Sequence, residues 1–295
     1  MAARWLDVNN NLDRNAISAL FTDTAVLIDG PPCTVAAPCK GPAAIAKRLD
    51  NVEATHGKLA LVGTPEVAGN LVSMRSEGRS DNSPKAGVDR QIVLSNIVVM
   101  GDRIAAYVEQ ADLSDVQTLK YQLFNFQQAQ ASSSAAPASA KTDPAAVAMG
   151  WYTGINGGDA AATANAFTDN AVLITSGPCA PITPCVGRDV ILQRAQSVIA
   201  NHAKPMPIGS PLVAGNLVEI RQETSGDAQK QAGVDRIVVL AVETVQGDKI
   251  SARIEFPDLS DAQTAKYQQY QQTQASSAAA KPAASVGASP KPSTS

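Results

Sequence analysis

The sequence has few aromatic residues and few charges, and those it has are not clustered. Of 295 residues, 4% are aromatic and 17% are charged, and the formal net charge is -3. The 24 lysines and arginines are scattered along the chain, so the basic stripe of a nucleic-acid-binding protein is missing. No apolar run approaches the roughly 18 residues that a membrane helix needs. We therefore expect no nucleic acid partner and no membrane span.

The sequence instead contains a long internal duplication. An offset of 146 positions aligns FTDTAVLI at Phe21 with FTDNAVLI at Phe167, and the match runs from Trp5 and Trp151 to the glutamine-rich ends near 128 and 274. The motifs VAGNLV and AGVDR recur in both halves, and well over a third of the aligned positions are identical. Self-similarity over a whole domain length indicates two copies of one fold.

Two low-complexity segments flank the second copy. Both are rich in alanine, serine, proline and lysine, and such compositions bury too little apolar surface to offset the entropy of ordering. We therefore predict a first domain at 1–130, a linker at 131–144, a second domain at 145–276 and a disordered tail at 277–295. Each domain is large enough to bury its own core.

Each copy has the same predicted order of elements. Two short helices, with Asp13 and Asp159 as N-caps, precede a strand, a proline-rich loop and a third helix at 42–53. Strands at 58–62, 70–77, 88–99 and 103–109 then form a meander, and a helix capped by Ser114 or Ser260 ends the copy. This order predicts an α+β fold of two tandem cones, each a curved antiparallel sheet with helices packed on one face.

The motifs in this order resemble those of the SnoaL-like, nuclear transport factor 2-like family. They are W-x4-N-x2-D, F-T-D-x-A-V-L, G-x3-I before a helix, G-N-L-V, and a hairpin followed by D-L-S, and they occur in both copies. The resemblance implies a cystatin-like α+β roll around an apolar pocket, and pairing of the two copies as an intrachain pseudo-dimer. The fold hosts isomerases, cyclases, epoxide hydrolases and non-enzymes, so the residues must decide the function.

Members that resemble ketosteroid isomerase have a carboxylate base eight residues after the Phe of the F-x-D-x-A motif. That count gives Asp29 in the first copy but Thr175 in the second, which cannot act as this base. The tyrosine of the first helix is replaced by Trp5 and Trp151, which are interpreted as core or pocket wall. An Asp before Gly-Pro is also an ordinary turn residue, so a structural role for Asp29 stays open.

The acid expected on a late strand in this family falls near Leu94 and Leu240, which are apolar. Two of the three expected groups are therefore missing from both copies, and the second copy also lacks the base. The resemblance to ketosteroid isomerase does not extend to its full catalytic set.

A second enzyme hypothesis rests on the repeated VDR. Epoxide hydrolases of this fold use an Asp-Arg-Asp set, and the sequence offers Asp89-Arg90 and Asp235-Arg236. Neighbouring residues on a strand face opposite sides, and strand parity favours Arg90 as the inward residue. Paired surface charges would explain the motif as well. Two glutamates near the end of the last strand are further pocket candidates, Glu109 and Glu255.

The four cysteines recur under the same offset, as Cys33 and Cys39 in one loop and Cys179 and Cys185 in the other. Their even number and equal spacing favour one disulfide per copy, with free thiols as an alternative. A metal site with His56 or His202 would lack a fourth ligand, so we expect no metal and no cofactor. Disulfides favour export, whereas the start of the chain shows no signal-peptide plan.

The sequence thus favours a tandem small-molecule-binding protein with apolar pockets and no assigned reaction. The first alternative is an isomerase, cyclase or epoxide hydrolase that uses Asp29 or Arg90. The second is a non-catalytic structural or interaction module, in which the pockets are filled by the protein's own side chains.

Overall fold

A computed structural model describes residues 1–132, 142–175 and 177–279. Most of the predicted linker and the end of the predicted tail lie outside these residues. The helices next to them continue to Ser132 and Ala279, further than the domain limits inferred from composition.

The first copy contains five helices and six strands, some only one turn or two residues long. In chain order they are α1 (Ala2–Asn11), α2 (Ile17–Leu20), β1 (Phe21–Ile28), β2 (Cys39–Lys40), α3 (Gly41–Ala54), β3 (Lys58–Ala68), β4 (Leu71–Arg79), α4 (Asn82–Lys85), β5 (Gln91–Met100), β6 (Arg103–Ala111) and α5 (Val116–Ser132).

The second copy repeats this order with one interrupted strand. Its elements are α6 (Pro144–Gly157), α7 (Ala160–Asn165), β7 (Phe167–Ile174), a 3₁₀ turn (Gly177–Cys179), β8 (Cys185–Val186), α8 (Arg188–Ala200), β9 (Lys204–Pro207), β10 (Leu212–Ala214), β11 (Leu217–Ser225), α9 (Asp227–Gln231), β12 (Ile237–Gln246), β13 (Lys249–Pro257) and α10 (Ala262–Ala279). The counterpart of β3 is split into β9 and β10, and it has Pro205 and Pro207 where β3 has Leu59 and Leu61; proline cannot donate to the strand ladder.

Each copy forms its own sheet. The strand order is β2-β1-β6-β5-β4-β3 in the first copy and β10-β11-β12-β13-β7-β8 in the second, with β9 also paired to β11. The meander is antiparallel as predicted, but β1 and β7 pair in parallel with β6 and β13. Each sheet is therefore mixed, with an antiparallel meander and one parallel strand pair. In the first copy, α3 and the strands β3 to β5 separate β1 from β6 in the chain. β1 and β6 lie side by side in the sheet and run in the same direction.

The residues that cap the last helices differ from the prediction. Asp115 Oδ1, and not Ser114, accepts the backbone N–H of Thr118, at 2.9 Å. Asp261 does the same for Thr264 in the second copy. A carboxylate is as good an N-cap as a serine hydroxyl, so the sequence alone left the two neighbours equally suitable.

Helices and sheet enclose one core in each copy. In the first copy α1 and α3 pack on the concave face of the sheet around Trp5, Phe21, Leu49 and Tyr107, all of which are completely buried. In the second copy α6 and α8 pack in the same way around Trp151.

The other faces of the two sheets pack against each other. Val26, Ile28 and Val108 of the first copy form one buried cluster with Val172, Ile254 and further residues of the second. This shared core pairs the copies within one chain, as the resemblance implied.

The last helix of each copy reaches over to the other copy. In one direction the Gln272 amide accepts from Asn70 N and donates to Ala68 O, both at 2.8 Å. In the other direction the ring of Phe126 lies against Gly215, where a side chain would collide with it. Gly69 and Gly215 both have positive φ, and both lie in the turns that receive these helices.

Both cysteine pairs are disulfide-bonded, Cys33 to Cys39 and Cys179 to Cys185. Each bond closes the loop between the first strand and the third helix of its copy. Among the described residues, no helix combines the length and the apolar character that a membrane crossing requires.

Candidate functional site

The first copy contains a cavity of about 480 Å³ between its helices and its sheet. Its inner wall includes Asn9 of α1, Arg48 of α3, and Asp29 and Glu109 at the ends of β1 and β6. The disulfide-closed loop forms one side of its mouth through Pro31 and neighbouring residues. Polar and apolar side chains both line this cavity, so it is less apolar than the sequence suggested.

Asp29 lies at the inner end of β1, and its side chain is 2% exposed. The Arg48 guanidinium forms an ion pair with Asp29 Oδ2, although this oxygen has no well-aligned hydrogen-bond donor among the described residues. Burial raises the pKa of Asp29, and the charge of Arg48 offsets part of that rise. Asp29 is therefore a buried carboxylate that is paired with Arg48, and not a solvated turn residue.

Arg48 reaches the cavity from the buried face of α3. It also donates to Asn9 Oδ1, and its guanidinium lies 5.8 Å from the ring centre of Trp5. Burial alone would lower the pKa of Arg48, but the charges of Asp29 and Glu109 outweigh it and raise that pKa. The guanidinium stays charged; it contacts Asp29 and acts on Glu109 through its charge.

Glu109 belongs to a short hydrogen-bonded chain on the neighbouring strands. The Tyr107 hydroxyl donates to Glu109 Oε2 at 2.5 Å and lies 2.9 Å from Ser95 Oγ. Burial, and next the charge of Asp29, raise the pKa of Glu109 to about 7. Burial and the Glu109 carboxylate likewise raise the pKa of Tyr107 well above its ordinary value.

These groups form an acid–arginine–acid cluster, Asp29–Arg48–Glu109. One guanidinium compensates one carboxylate, so the second carboxylate holds a proton until about neutral pH. A site with one ionised and one protonated carboxyl group can both accept and donate a proton. The arrangement can therefore support general acid–base chemistry on a molecule in the cavity.

The second copy keeps Arg194 and Glu255 at the positions of Arg48 and Glu109 but changes the groups around them. Thr175 occupies the position of Asp29, and Arg253 that of Tyr107. The Arg253 side chain is fully buried, pairs with Glu243, and bonds Glu255 Oε1 at 2.9 Å. Its guanidinium also donates to Gln222 Oε1 at 2.7 Å.

Aromatic rings complete the surroundings of Arg253. The guanidinium lies 4.9 Å from the centre of the Trp151 ring and 5.0 Å from that of Tyr152. Burial raises the pKa of Glu243 to about 7 despite the nearby arginine. The second copy thus fills the centre of its cone with its own side chains, and a cavity of about 310 Å³ remains beside them.

The structure places the predicted pocket residues in three different environments. Asp29 and Glu109 line the first cavity, and Trp151 and Glu255 line the second. Trp5 is completely buried and packs edge-on against Phe21, with ring centres 5.3 Å apart.

Leu94 and Leu240 line neither cone. Both lie in a groove between the two copies, because they point away from the helices. Both leucines therefore line the groove between the two copies, and not the pocket inside each cone for which they were predicted.

The VDR arginines are also outside the cones. Arg90 pairs with Asp115 at 3.0 Å and with Glu77 at 3.4 Å, and Arg236 makes the equivalent pairs with Asp261 and Glu223. Both arginines precede the first residue of their strand, so strand parity does not apply to them. The prediction that Arg90 faces the pocket is contradicted by these contacts, and the alternative of paired surface charges describes them.

Sequence reasoning missed Arg48, Tyr107, Ser95 and Asn9. A signal was present for Arg48, a cation at helical spacing among the apolar residues of α3. Another was present for Tyr107, two residues before Glu109 and so on the same face of β6. No local pattern indicated that these side chains meet Asp29.

Among the described residues, no group of three or more His, Cys, Asp and Glu side chains could hold a metal ion. His56 and His202 instead contact Asp81 and Asp227, at 2.7 and 2.6 Å, on the surface.

Comparisons with known proteins give matches among solved structures only. No protein-family profile matches the sequence, and no curated protein matches it. An SnoaL-like family protein from Agrobacterium tumefaciens is 18% identical, with a TM-score of 0.32, over 38% of this chain and 93% of its own. A nuclear transport factor 2-like protein from Mesorhizobium loti is 15% identical, with a TM-score of 0.34, over 39% of this chain and 90% of its own.

A third match is the epoxide hydrolase/cyclase-like enzyme SalBIII, which acts in pyran ring formation in the polyether salinomycin. It is 18% identical, with a TM-score of 0.34, over 40% of this chain and 92% of its own. The chain is therefore similar to solved SnoaL-like and nuclear transport factor 2-like proteins, each of which covers less than half of its length.

Proposed function

We propose that the first copy binds a small molecule in its cavity and acts on it by general acid–base chemistry, with the second copy as its structural partner. The observation that supports this most directly is the pair of buried carboxylates, Asp29 and Glu109, beside the Arg48 guanidinium, which contacts Asp29 and acts on Glu109 through its charge. Buried charges without full compensation cost stability, and titratable groups with raised pKa values cluster at functional sites.

The two carboxyl groups suit different roles in acid–base chemistry, one as the base and the other as the acid. Asp29 is in contact with the guanidinium and is the better base, whereas Glu109 is protonated up to about pH 7 and can donate. Tyr107 on the same strand and Ser95 on the neighbouring strand hold the Glu109 carboxyl group in place. Such positioned acids and bases contribute about 10²- to 10⁴-fold to a rate.

The second copy lacks this division of roles. Thr175 has no carboxyl group, and Arg253 is enclosed by two glutamates, a glutamine and a tyrosine. Its buried polar groups are therefore largely satisfied by one another, which favours a supporting role.

Reactivity can be tested on the full chain with two panels, small epoxides and β,γ-unsaturated ketones, followed by chromatography and mass spectrometry. We expect turnover of at least one compound, with Asp29→Asn and Glu109→Gln each losing at least about 100-fold. Glu255→Gln in the second copy is the matched control and should retain the rate.

Two results would contradict the proposal. One is turnover that survives Asp29→Asn, because the reaction would then take place elsewhere. The other is the absence of turnover together with no compound that changes the NMR signals of cavity residues, which would favour a non-catalytic scaffold.

A further inference from the structure

A second depression, here called the side groove, leads out of the mouth of the first cavity. It has a volume of about 650 Å³, runs along α5 and ends at the turn between β10 and β11 of the second copy. It shares residues with the cavity itself, among them Pro31, Gln122 and Leu217. The cavity and the side groove therefore form one continuous path across both copies.

The side groove is lined by amides. Six of its residues are asparagine or glutamine, namely Asn51, Asn82, Gln122, Asn125, Gln130 and Asn216. No charged side chain is among its lining residues. An amide offers both donors and acceptors, which complements a hydroxyl group, itself both donor and acceptor. The chemistry favours an uncharged, hydroxyl-bearing ligand.

Several of these amides have hydrogen-bonding capacity to spare. Within the described part of the chain, the Asn125 side chain has no hydrogen bond, and the contact from Gln122 to Gln91 is long, at 3.4 Å. Beside them the partly buried ring of Phe126 lies over Gly215. An aromatic ring next to free amides offers an apolar surface for C–H groups and polar groups for hydroxyls.

The second copy closes the equivalent place. Gln272 corresponds to Phe126, and its amide is fully engaged with Asn70 N and Ala68 O of the first copy. Ala228 stands where the first copy has Asn82. At the equivalent positions three of the six amides remain, Asn70, Gln268 and Gln271, so only part of the amide lining is particular to the side groove.

We propose that the side groove binds neutral saccharide units, so that the ligand of the first copy is a neutral oligosaccharide or a small molecule that carries sugar residues. The inference rests on the proposed function, because it assigns the far end of the ligand to the cavity with Asp29 and Glu109. Sugar rings combine hydroxyl groups with C–H faces and carry no charge, as the lining requires. The turn at 214–217 of the second copy completes the site, which a single copy would lack.

Binding can be measured on the full chain by isothermal titration calorimetry and saturation-transfer NMR. The probes are cellotetraose and maltotetraose, a 4-nitrophenyl cellobioside, and tetragalacturonate as a charged counterpart. We expect a neutral probe to bind and Asn125→Leu to weaken it by about 10-fold or more, since one lost hydrogen bond is worth about 1.4 kcal/mol. Gln271→Leu, at the matching position of the second copy, should leave the affinity unchanged.

The probes also distinguish the two sources of sugar. Binding of the tetrasaccharides indicates a glycan chain, whereas binding of the 4-nitrophenyl glycoside alone indicates a glycosylated small molecule whose ring enters the cavity. The inference is overturned if no neutral probe binds, if tetragalacturonate binds as tightly, or if Gln271→Leu weakens binding as much as Asn125→Leu.

Failure of this inference can be told apart from failure of the proposed function. Asn125→Leu should weaken binding of the neutral saccharides, whereas Asp29→Asn should abolish turnover of the epoxide and ketone panels. Saccharide binding without any chemistry on the bound probe or on the epoxide and ketone panels counts against the acid–base proposal alone.

Discussion

Arg48 is the residue on which the first cavity depends most. Its guanidinium contacts Asp29, Asn9 and the Trp5 ring, and its charge also acts on Glu109. Removing one partner of a buried charge cluster leaves the others uncompensated, and this costs more than the pair contributes.

We therefore expect Arg48→Met to lower the free energy of unfolding by about 3 to 5 kcal/mol. Arg194→Met is the matched control at the equivalent position of the second copy, where no ion pair is formed among the described residues. It should cost about 1 kcal/mol or less. Urea denaturation followed by circular dichroism measures both, and equal losses would show that Arg48 contributes packing only.

The raised pKa of Glu109 should make the stability of the folded protein depend on pH, and it fixes the sign of that dependence. The folded protein holds this proton up to about pH 7, whereas an unfolded glutamate releases it near its ordinary value of 4.5. The folded state therefore binds more protons in this window, and its stability falls as the pH rises from 4.5 to 7.

The difference in unfolding free energy between Glu109→Gln and the wild type should grow over this window by on the order of 3 kcal/mol at most. Burial also raises the pKa values of Glu219 and Glu243 to about 7 and raises those of Asp29 and Glu66, so the variant removes only one of these contributions. Urea titrations at pH 5, 6, 7 and 8 measure this, with the exposed Glu53→Gln as control. Parallel curves for variant and wild type would contradict the prediction.

At the scale of elements, the loop between β1 and α3 forms one side of the mouth of the first cavity. Its disulfide joins Cys33 and Cys39, and residues of the closed loop, such as Thr34 and Val35, line the cavity. The second copy closes an equivalent loop of the same length. A comparison of the two disulfides can therefore separate an effect on stability from an effect on ligand binding in the first cavity.

We expect replacement of either cysteine pair by alanine to cost on the order of 2 kcal/mol, because both bonds close loops of equal length in the unfolded chain. Only the Cys33→Ala and Cys39→Ala double variant should also weaken ligand binding in the first cavity. Thermal unfolding and calorimetry with the tightest-binding probe measure the two effects. Equal losses of affinity in both double variants would contradict this assignment.

At the scale of the whole molecule, the two copies share a core that neither could bury alone. Val108, 1% exposed, lies in the apolar cluster between the two sheets. Glu219 of the second copy also accepts the backbone N–H of Leu113 across the interface, at 2.7 Å. The two copies should therefore unfold together.

We expect scanning calorimetry of the wild type to show one transition. Val108→Asp buries an unpaired charge, which costs several kcal/mol, and should lower the melting temperature and separate two transitions. Met100→Asp, at a position that is 55% exposed, serves as control. An unchanged single transition in Val108→Asp would show that the shared cluster does not couple the copies.

The sequence by itself determined the duplication and the order of elements and favoured one disulfide per copy, because these follow from repeated motifs, local periodicity and short loop spacing. It also identified Asp29 and Glu109, each of which stands at the end of a strand in a recognisable position. The structure decided which side chains surround these two carboxylates. Arg48 reaches them from helix α3, and Tyr107 lies on β6, the strand that pairs with β1. This arrangement depends on how the helices cross the sheet. Only the tertiary structure decided three further features: the parallel pairing of β1 with β6, the surface position of Arg90, and the path of the side groove across both copies. Each of them depends on contacts between segments that are distant in the chain.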